Sequence, residues 1–100
     1  MLNLRVEENG SDVVVFIEGR MDTNSSPQVK DEVSKYIESA DKIILDLEKL
    51  DYISSAGLRV FVLVDQQILA KGGELFVRNV PSQIAEIFQM TGFNVMLKII

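Results

Sequence analysis

The sequence predicts an α/β fold built on a mixed, partly parallel sheet, and three observations carry that expectation. The stretch "LNLRVE" alternates Leu2, Leu4 and Val6 with Asn3, Arg5 and Glu7, the period-2 pattern of a strand buried on one face. Two further runs, "KIILDL" and "ELFVRN", are short, apolar and rich in residues that suit buried strands. Segments with helical spacing separate these runs, and strands alternating with helices join through right-handed crossovers into a parallel sheet.

Each element follows in order. Asn9-Gly10 supplies a turn, and "DVVVFIEG" returns as the more buried strand of a hairpin. Ser25 with Gln28 has the spacing of a capping box, and Pro27 suits a first helical turn. Beyond it Val29, Val33, Ile37 and Ala40 recur at helical spacing, with Lys30, Asp31, Glu32, Lys35 and Glu38 on the other faces. "KIILDL" is the next strand. From Ser55 to Lys71 the apolar residues Leu58, Phe61, Val62, Leu63, Ile68 and Leu69 are dense. The valines favour a strand here, but the run is longer than most strands and Gly72-Gly73 forms a stop, so a helix is expected. "ELFVRN" is a strand, "PSQIAEIFQMTG" a helix with Ile84, Ile87 and Phe88 on one face and Gly92 as its stop, and "VMLKII" a last strand. The expected order is β-β-α-β-α-β-α-β, with four to five strands in one mixed sheet, helices packed against it, and a single domain over residues 1–100.

Composition removes several classes of function. There is no cysteine, hence no disulfide and no thiolate chemistry, and no histidine, the commonest general base and metal ligand. A formal net charge of −5 argues against nucleic acid, whose binding rests on phosphate neutralisation by Lys and Arg. The apolar run Val60 to Val64 is far too short to cross a bilayer, and "MLNLRVEENG" lacks a signal-peptide pattern, so a cytoplasmic protein without membrane attachment is expected. No phosphate-cradling G-x-x-x-x-G-K-[ST] string occurs, and Asp46, Glu48 and Asp51 do not have metal-loop spacing. Neither catalysis, nor a metal, nor a cofactor is expected.

The stretch "YISSAGLRV" raises the functional question. Ser54 and Ser55 fall where a loop gives way to the dense helix, and four backbone N–H groups there lack intrahelical partners. Serine is a favoured residue at such a start, and the Ser55 hydroxyl is expected to contribute about 1 kcal/mol as a cap. The same end of a helix also suits an anion, including a phosphate carried on a serine. Gly57 permits either close packing or the approach of a partner. A serine nucleophile is disfavoured, because Ile53 stands where G-x-S-x-G needs its first glycine and no histidine exists to act as base. Local chemistry leaves capping and modification both open.

Three blocks, "FIEGRMDTNSSPQVKDEV", "IILDLEKLDYISSAGLRVFV" and "AKGGELFVRNVPSQIAEIFQMTGF", follow one another at spacings that resemble the STAS domain of bacterial anti-sigma-factor antagonists. The likeness runs from about Leu4 to Ile99, and its most specific part is "DLEKLDYISSAGL", a serine two residues before Gly-Leu. The resemblance implies that this serine, Ser55 here, is phosphorylated by an anti-sigma factor that is itself a serine kinase. It implies further that the unphosphorylated form binds the kinase and frees a sigma factor, and that a PP2C-type phosphatase restores it. Ser54 takes the place where many members carry Asp, and Ala56 the place where many carry Ser or Thr. Asp22 matches the family aspartate near the phosphoacceptor, and Asp46 the polar residue that ends the central strand. The interface implied comprises Met21 to Ser25, including Thr23 and Asn24, then Ser54 to Leu58 with Gly57, and exposed residues of the following helix such as Arg59. Members commonly add a helix after the last strand, and the sequence stops at Ile100, which implies an apolar patch and a monomer or weak dimer. The alternative within the same fold is a binding module that is never phosphorylated, such as the soluble subunit of a lipid transporter.

Overall fold

The computed structural model describes residues 1–100 and bears out the α/β class: a six-stranded mixed sheet carries its helices on one face. Strands β1 (Leu2–Asn9) and β2 (Asp12–Met21) form the antiparallel hairpin, with Asn9 opposite Asp12. The two-residue loop is therefore Gly10-Ser11, not Asn9-Gly10, and Gly10 takes φ +63° at its first position as a II′-type turn requires. Helix α1 (Ser26–Ser34) leads to β3 (Lys42–Asp46), which lies parallel to β2. Then come β4 (Leu50–Ile53), α2 (Ser55–Ala70), β5 (Glu74–Arg78), α3 (Ser82–Thr91), the single turn α4 (Phe93–Met96) and β6 (Lys98–Ile99). The sheet order is β1-β2-β3-β5-β6, and β4 pairs with β2 beyond the end of β3.

Three details depart from expectation, each for a local reason. Strand β4 is additional: "LDYI" alternates weakly in sequence, but Leu50 and Ile53 are buried and the strand continues the edge of β2 that β3 has left. Helix α1 stops at Ser34, because the N–H groups of Lys35 and Tyr36 donate to the carbonyls of Glu32 and Val33, three residues back, and tighten the chain into turns. Ile37 and Ala40 still face the core, so their helical spacing is real although the backbone beneath them is not helical. Val95 and Met96 belong to a helical turn that follows Gly92 at φ +81°, and the last strand begins only after Leu97.

The dense segment is a helix. Leu58, Phe61, Val64 and Ile68 are buried at spacings of three and four residues, and the helix packs against β4 and β5, in one continuous core of 23 buried residues. Its end closes as anticipated: Gly72 adopts φ +92°, and Gly73 N–H donates to the Ile68 carbonyl at 2.9 Å. No helix is long and apolar enough to cross a membrane.

The start of α2 sits unusually close to the sheet. A Cβ on Gly57 would stand 2.7 Å from Ile53 Cγ1 and 3.2 Å from both Met21 Cγ and the Met21 carbonyl oxygen. Alanine at this position would gain up to about 1 kcal/mol in helix propensity. Against that, the Met21 carbonyl is fixed by the sheet and Ile53 is stiff at χ1, so overpacking of about 1–3 kcal/mol prevails. Gly57→Ala should therefore lower stability in a urea titration, and a gain would show that this contact is not tight.

Candidate functional site

The site lies where the C-terminal ends of β2 and β4 meet the first turn of α2. Met21 pairs with Ile53, and Ser54 N–H donates to the Met21 carbonyl at 2.9 Å, so the loop after β2 and the start of α2 are neighbours through the backbone itself. The structure thereby brings together Asp22, Thr23 and Asn24 on one side and Ser54, Ser55, Ala56 and Gly57 on the other.

The two serines do different things. Ser54 is the N-cap: its backbone is extended and its hydroxyl accepts from Gly57 N–H at 3.2 Å. The expectation that Ser55 supplies the cap is corrected here. The reason is geometric, since the residue whose hydroxyl reaches the third N–H must precede the helix, and Ser55 is already helical. Ser55 is exposed and its hydroxyl has no hydrogen-bond partner in the chain.

Ser25 is likewise not half of a capping box, as its side chain makes no cap hydrogen bond. The turn before α1 is organised instead by Asp22, whose Oδ1 accepts from the N–H groups of Asn24 (3.0 Å) and Ser25 (2.8 Å). The Ser25 hydroxyl accepts from Asp22 N–H at 3.0 Å, and its single proton is shared between the Arg20 carbonyl (2.9 Å) and Asp22 Oδ1 (3.0 Å). The Ser25 N–H, and then its hydroxyl, hold the Asp22 carboxyl below its ordinary value. Asp22 is thus ionised and locked in a turn, with the exposed Thr23 and Asn24 displayed at its tip.

Asp46 is not part of this assembly. It pairs with Phe16 in the β2–β3 register while Ile53 pairs with Met21, a separation of roughly 16 Å along β2 at 3.3 Å per residue. Its side chain also faces the side of the sheet without helices, where Oδ2 accepts from Arg78 Nε and Asn79 Nδ2, each at 2.9 Å, and Oδ1 from Glu48 N–H at 3.0 Å. Burial pushes this carboxyl up, but the hydrogen bonds from Arg78, Glu48 and Asn79 outweigh it and hold it below its ordinary value. The match to a strand-ending polar residue is met by a buried structural ion pair.

Beside Ser55 the surface opens into a groove of about 310 Å³ between α2 and the α3–α4 turn. Leu58, Arg59 and Val62 line it from α2, and Thr91, Phe93 and Met96 from the opposite wall. Sequence reasoning found Leu58 and Arg59 but missed Val62, Thr91, Phe93 and Met96. A signal existed on α2, because Ser55, Leu58, Arg59 and Val62 lie at spacings of three and four. The far wall had none, since it depends on Gly92 reversing the chain at the end of α3.

The STAS domain model matches residues 3–100. The chain belongs to the STAS family. BtrV of Bordetella bronchiseptica, named as a candidate anti-sigma factor antagonist, is 30% identical over 93 residues, covering 92% of this chain and 80% of its own. The anti-sigma-B factor antagonist of Bacillus subtilis is 28% identical over 93 residues, 93% of this chain and 85% of its own. Among solved structures, unphosphorylated SpoIIAA, an anti-sigma factor antagonist, is 20% identical with a TM-score of 0.84, covering 98% of this chain and 88% of that one. This last likeness is one of fold.

Two outcomes follow from the placement of this STAS domain's serines and carboxylates. Ser54→Ala should cost about 1 kcal/mol for the lost cap, whereas Ser55→Ala should stay within about 0.5 kcal/mol of the parent in thermal melts. Equal losses would return the cap to both. For Asp46 the folded pKa lies below the unfolded one. Its contribution is therefore present above about pH 4 and lost as pH falls through the folded value. Asp46→Asn should flatten the acid limb of a stability–pH profile, and an unchanged limb would sink that assignment.

Proposed function

We propose that this STAS protein is a non-catalytic anti-sigma-factor antagonist switched at Ser55. In this reading the unphosphorylated chain docks on an anti-sigma factor that is a serine kinase, and the sigma factor is released. Phosphorylation ends the complex, and a PP2C-type phosphatase regenerates it, all in the cytoplasm. The observation that carries the reading is the division of labour at the start of α2, where Ser54 is engaged as the cap and Ser55 offers an exposed, unbonded hydroxyl beside an apolar groove. The names of the curated relatives support the antagonist role.

The chemistry asked of the chain is small. The Ser55 oxygen attacks the γ-phosphorus of ATP, the bond from phosphorus to the ADP oxygen breaks, and the hydroxyl proton passes to a base. With no histidine in the chain, that base belongs to the kinase. The phosphate adds about −1.5 to −2 charge at one point. The first turn of α2 accommodates an anion, so the fold is kept. A partner surface complementary to a hydroxyl and to the half-buried Val62 and Phe93 must instead bury a charged phosphate, at a cost of several kcal/mol. Asp22, fixed and ionised across the loop, adds repulsion to any anionic approach.

Incubation with a cognate kinase and ATP should add one phosphate, which mass spectrometry should place on Ser55 and which Ser55→Ala should abolish. Ser55→Glu should melt within about 1 kcal/mol of the parent yet bind the kinase at least tenfold more weakly. Phosphate found chiefly on Ser54 would contradict the assignment. Undiminished binding by Ser55→Glu would make the chain an unregulated STAS binding module instead.

A further inference from the structure

We propose that a phosphate on Ser55 is held within the chain by Arg59, so that the switch carries its own counter-ion. The inference rests on Ser55 being the phosphoacceptor and goes beyond it by naming the group that reads the phosphate inside the monomer.

The arginines of the chain are four, and three of them are occupied. Arg5 pairs with Glu7 at 2.6 Å and lies over the Phe16 ring, Arg78 pairs with Asp46 at 2.9 Å, and Arg20 lies 4.4 Å from the centre of the Tyr52 ring. Arg59 has neither a carboxylate within ion-pair distance nor a ring beneath it, and it is exposed. It follows Ser55 by four residues on α2, so the two side chains share a helix face with Cβ atoms about 5–6 Å apart.

The groove supports the same pairing independently. Ser55 and Arg59 both line it, and nothing else in its lining competes for the guanidinium. Leu58, Val62, Phe93 and Met96 are apolar, and the Thr91 hydroxyl already donates to the Ile87 carbonyl at 2.7 Å. An anion on the N-terminal residue and a cation four residues on is the favourable order for a helical pair. The planar fork of arginine also matches two phosphate oxygens at once, which lysine does not.

The pairing changes what a partner meets. The phosphate lies down along α2 toward Leu58 and Arg59 instead of standing into solvent, and the closed ion pair spans the mouth of the groove. A partner then faces both a charge and an obstructed apolar surface, and the only free cation of the groove is no longer available to its carboxylates.

The test needs neither kinase nor partner. Phosphoserine is introduced during translation at position 55 of the full chain, and the second ionisation of the phosphate is followed by 31P NMR against pH. Free phosphoserine titrates near pH 6, and pairing with Arg59 favours the dianion and lowers the midpoint. Arg59→Ala should raise that midpoint by about 0.5 unit, a threefold change in proton affinity, whereas Arg20→Ala, at the same end of the sheet, should leave it in place. Both side chains are exposed, and circular dichroism melts confirm the fold of each variant before titration. Coincident curves for Arg59→Ala and the parent would overturn the proposal. So would an equal shift from Arg20→Ala, which would assign the effect to the general field of the protein. Because the phosphate is installed directly, a kinase that fails to modify Ser55 would count against the proposed function and leave this measurement standing.

Discussion

The placement of the candidate functional residues around Ser55 depends on how closely the first turn of α2 approaches the ends of β2 and β4. Met21 and Ile53 pair in register and are buried, Ser54 N–H bonds to the Met21 carbonyl, and Gly57 leaves out the one carbon that would hold the helix away. Strand register, backbone bond and missing side chain therefore fix the same point in space. The buried face of α2 then determines its direction, since Phe61, Val64 and Ile68 must all reach the sheet. Once the helix is fixed at its start and along its length, Ser55 can only face outward, toward the groove.

A second constraint comes from covering the sheet on one face. The other face carries Phe16 and Phe76 with no helix above them. Arg5 stands 3.9 Å from the centre of the Phe16 ring, and Lys42 and Lys98 each stand 5.6 Å from that of Phe76. Their aliphatic stems lie on apolar surface while their charges stay in water, and the ion pairs Arg78–Asp46 and Lys98–Glu74 hold the neighbouring positions. The cations of this face serve as its lid. That use contrasts with Arg59, whose charge is spent on nothing in the fold.

The contrast also explains what could be read from sequence. Core positions follow from periodicity, so the hairpin, the buried strands and α2 were legible, even with valines arguing for a strand. Identities that depend on a residue's exact place in a turn were less so. Ser25 and Ser54 both resemble caps in one dimension, yet only Ser54 is extended and accepts from an N–H of the helix that follows it, while Asp22 takes over the turn that Ser25 was expected to cap. Asp46 does end a strand, as its motif suggests. What no local pattern reveals is that β4 replaces β3 along β2, with a register shift at Gly19/Arg20, which leaves the end of β3 and Asp46 well short of the site along β2. The far wall of the groove was hidden for a similar reason, because it is made by a chain reversal rather than by a run of residues.

In the switch proposed for this chain, the adjacent serines would keep stability and switching apart within one helical turn. A modifiable hydroxyl that also capped the helix would couple the two, because esterifying it would remove the cap while adding charge, and each cycle would perturb the fold by about 1 kcal/mol or more. Placing the cap on Ser54 and leaving Ser55 unbonded removes that coupling. A charge on Ser55 acts mainly on what approaches from outside, while the backbone N–H groups behind it keep their partner. The separation relies on Ser54 being a short side chain that turns back on its own helix, so that one of two identical neighbours holds the fold and the other faces the groove.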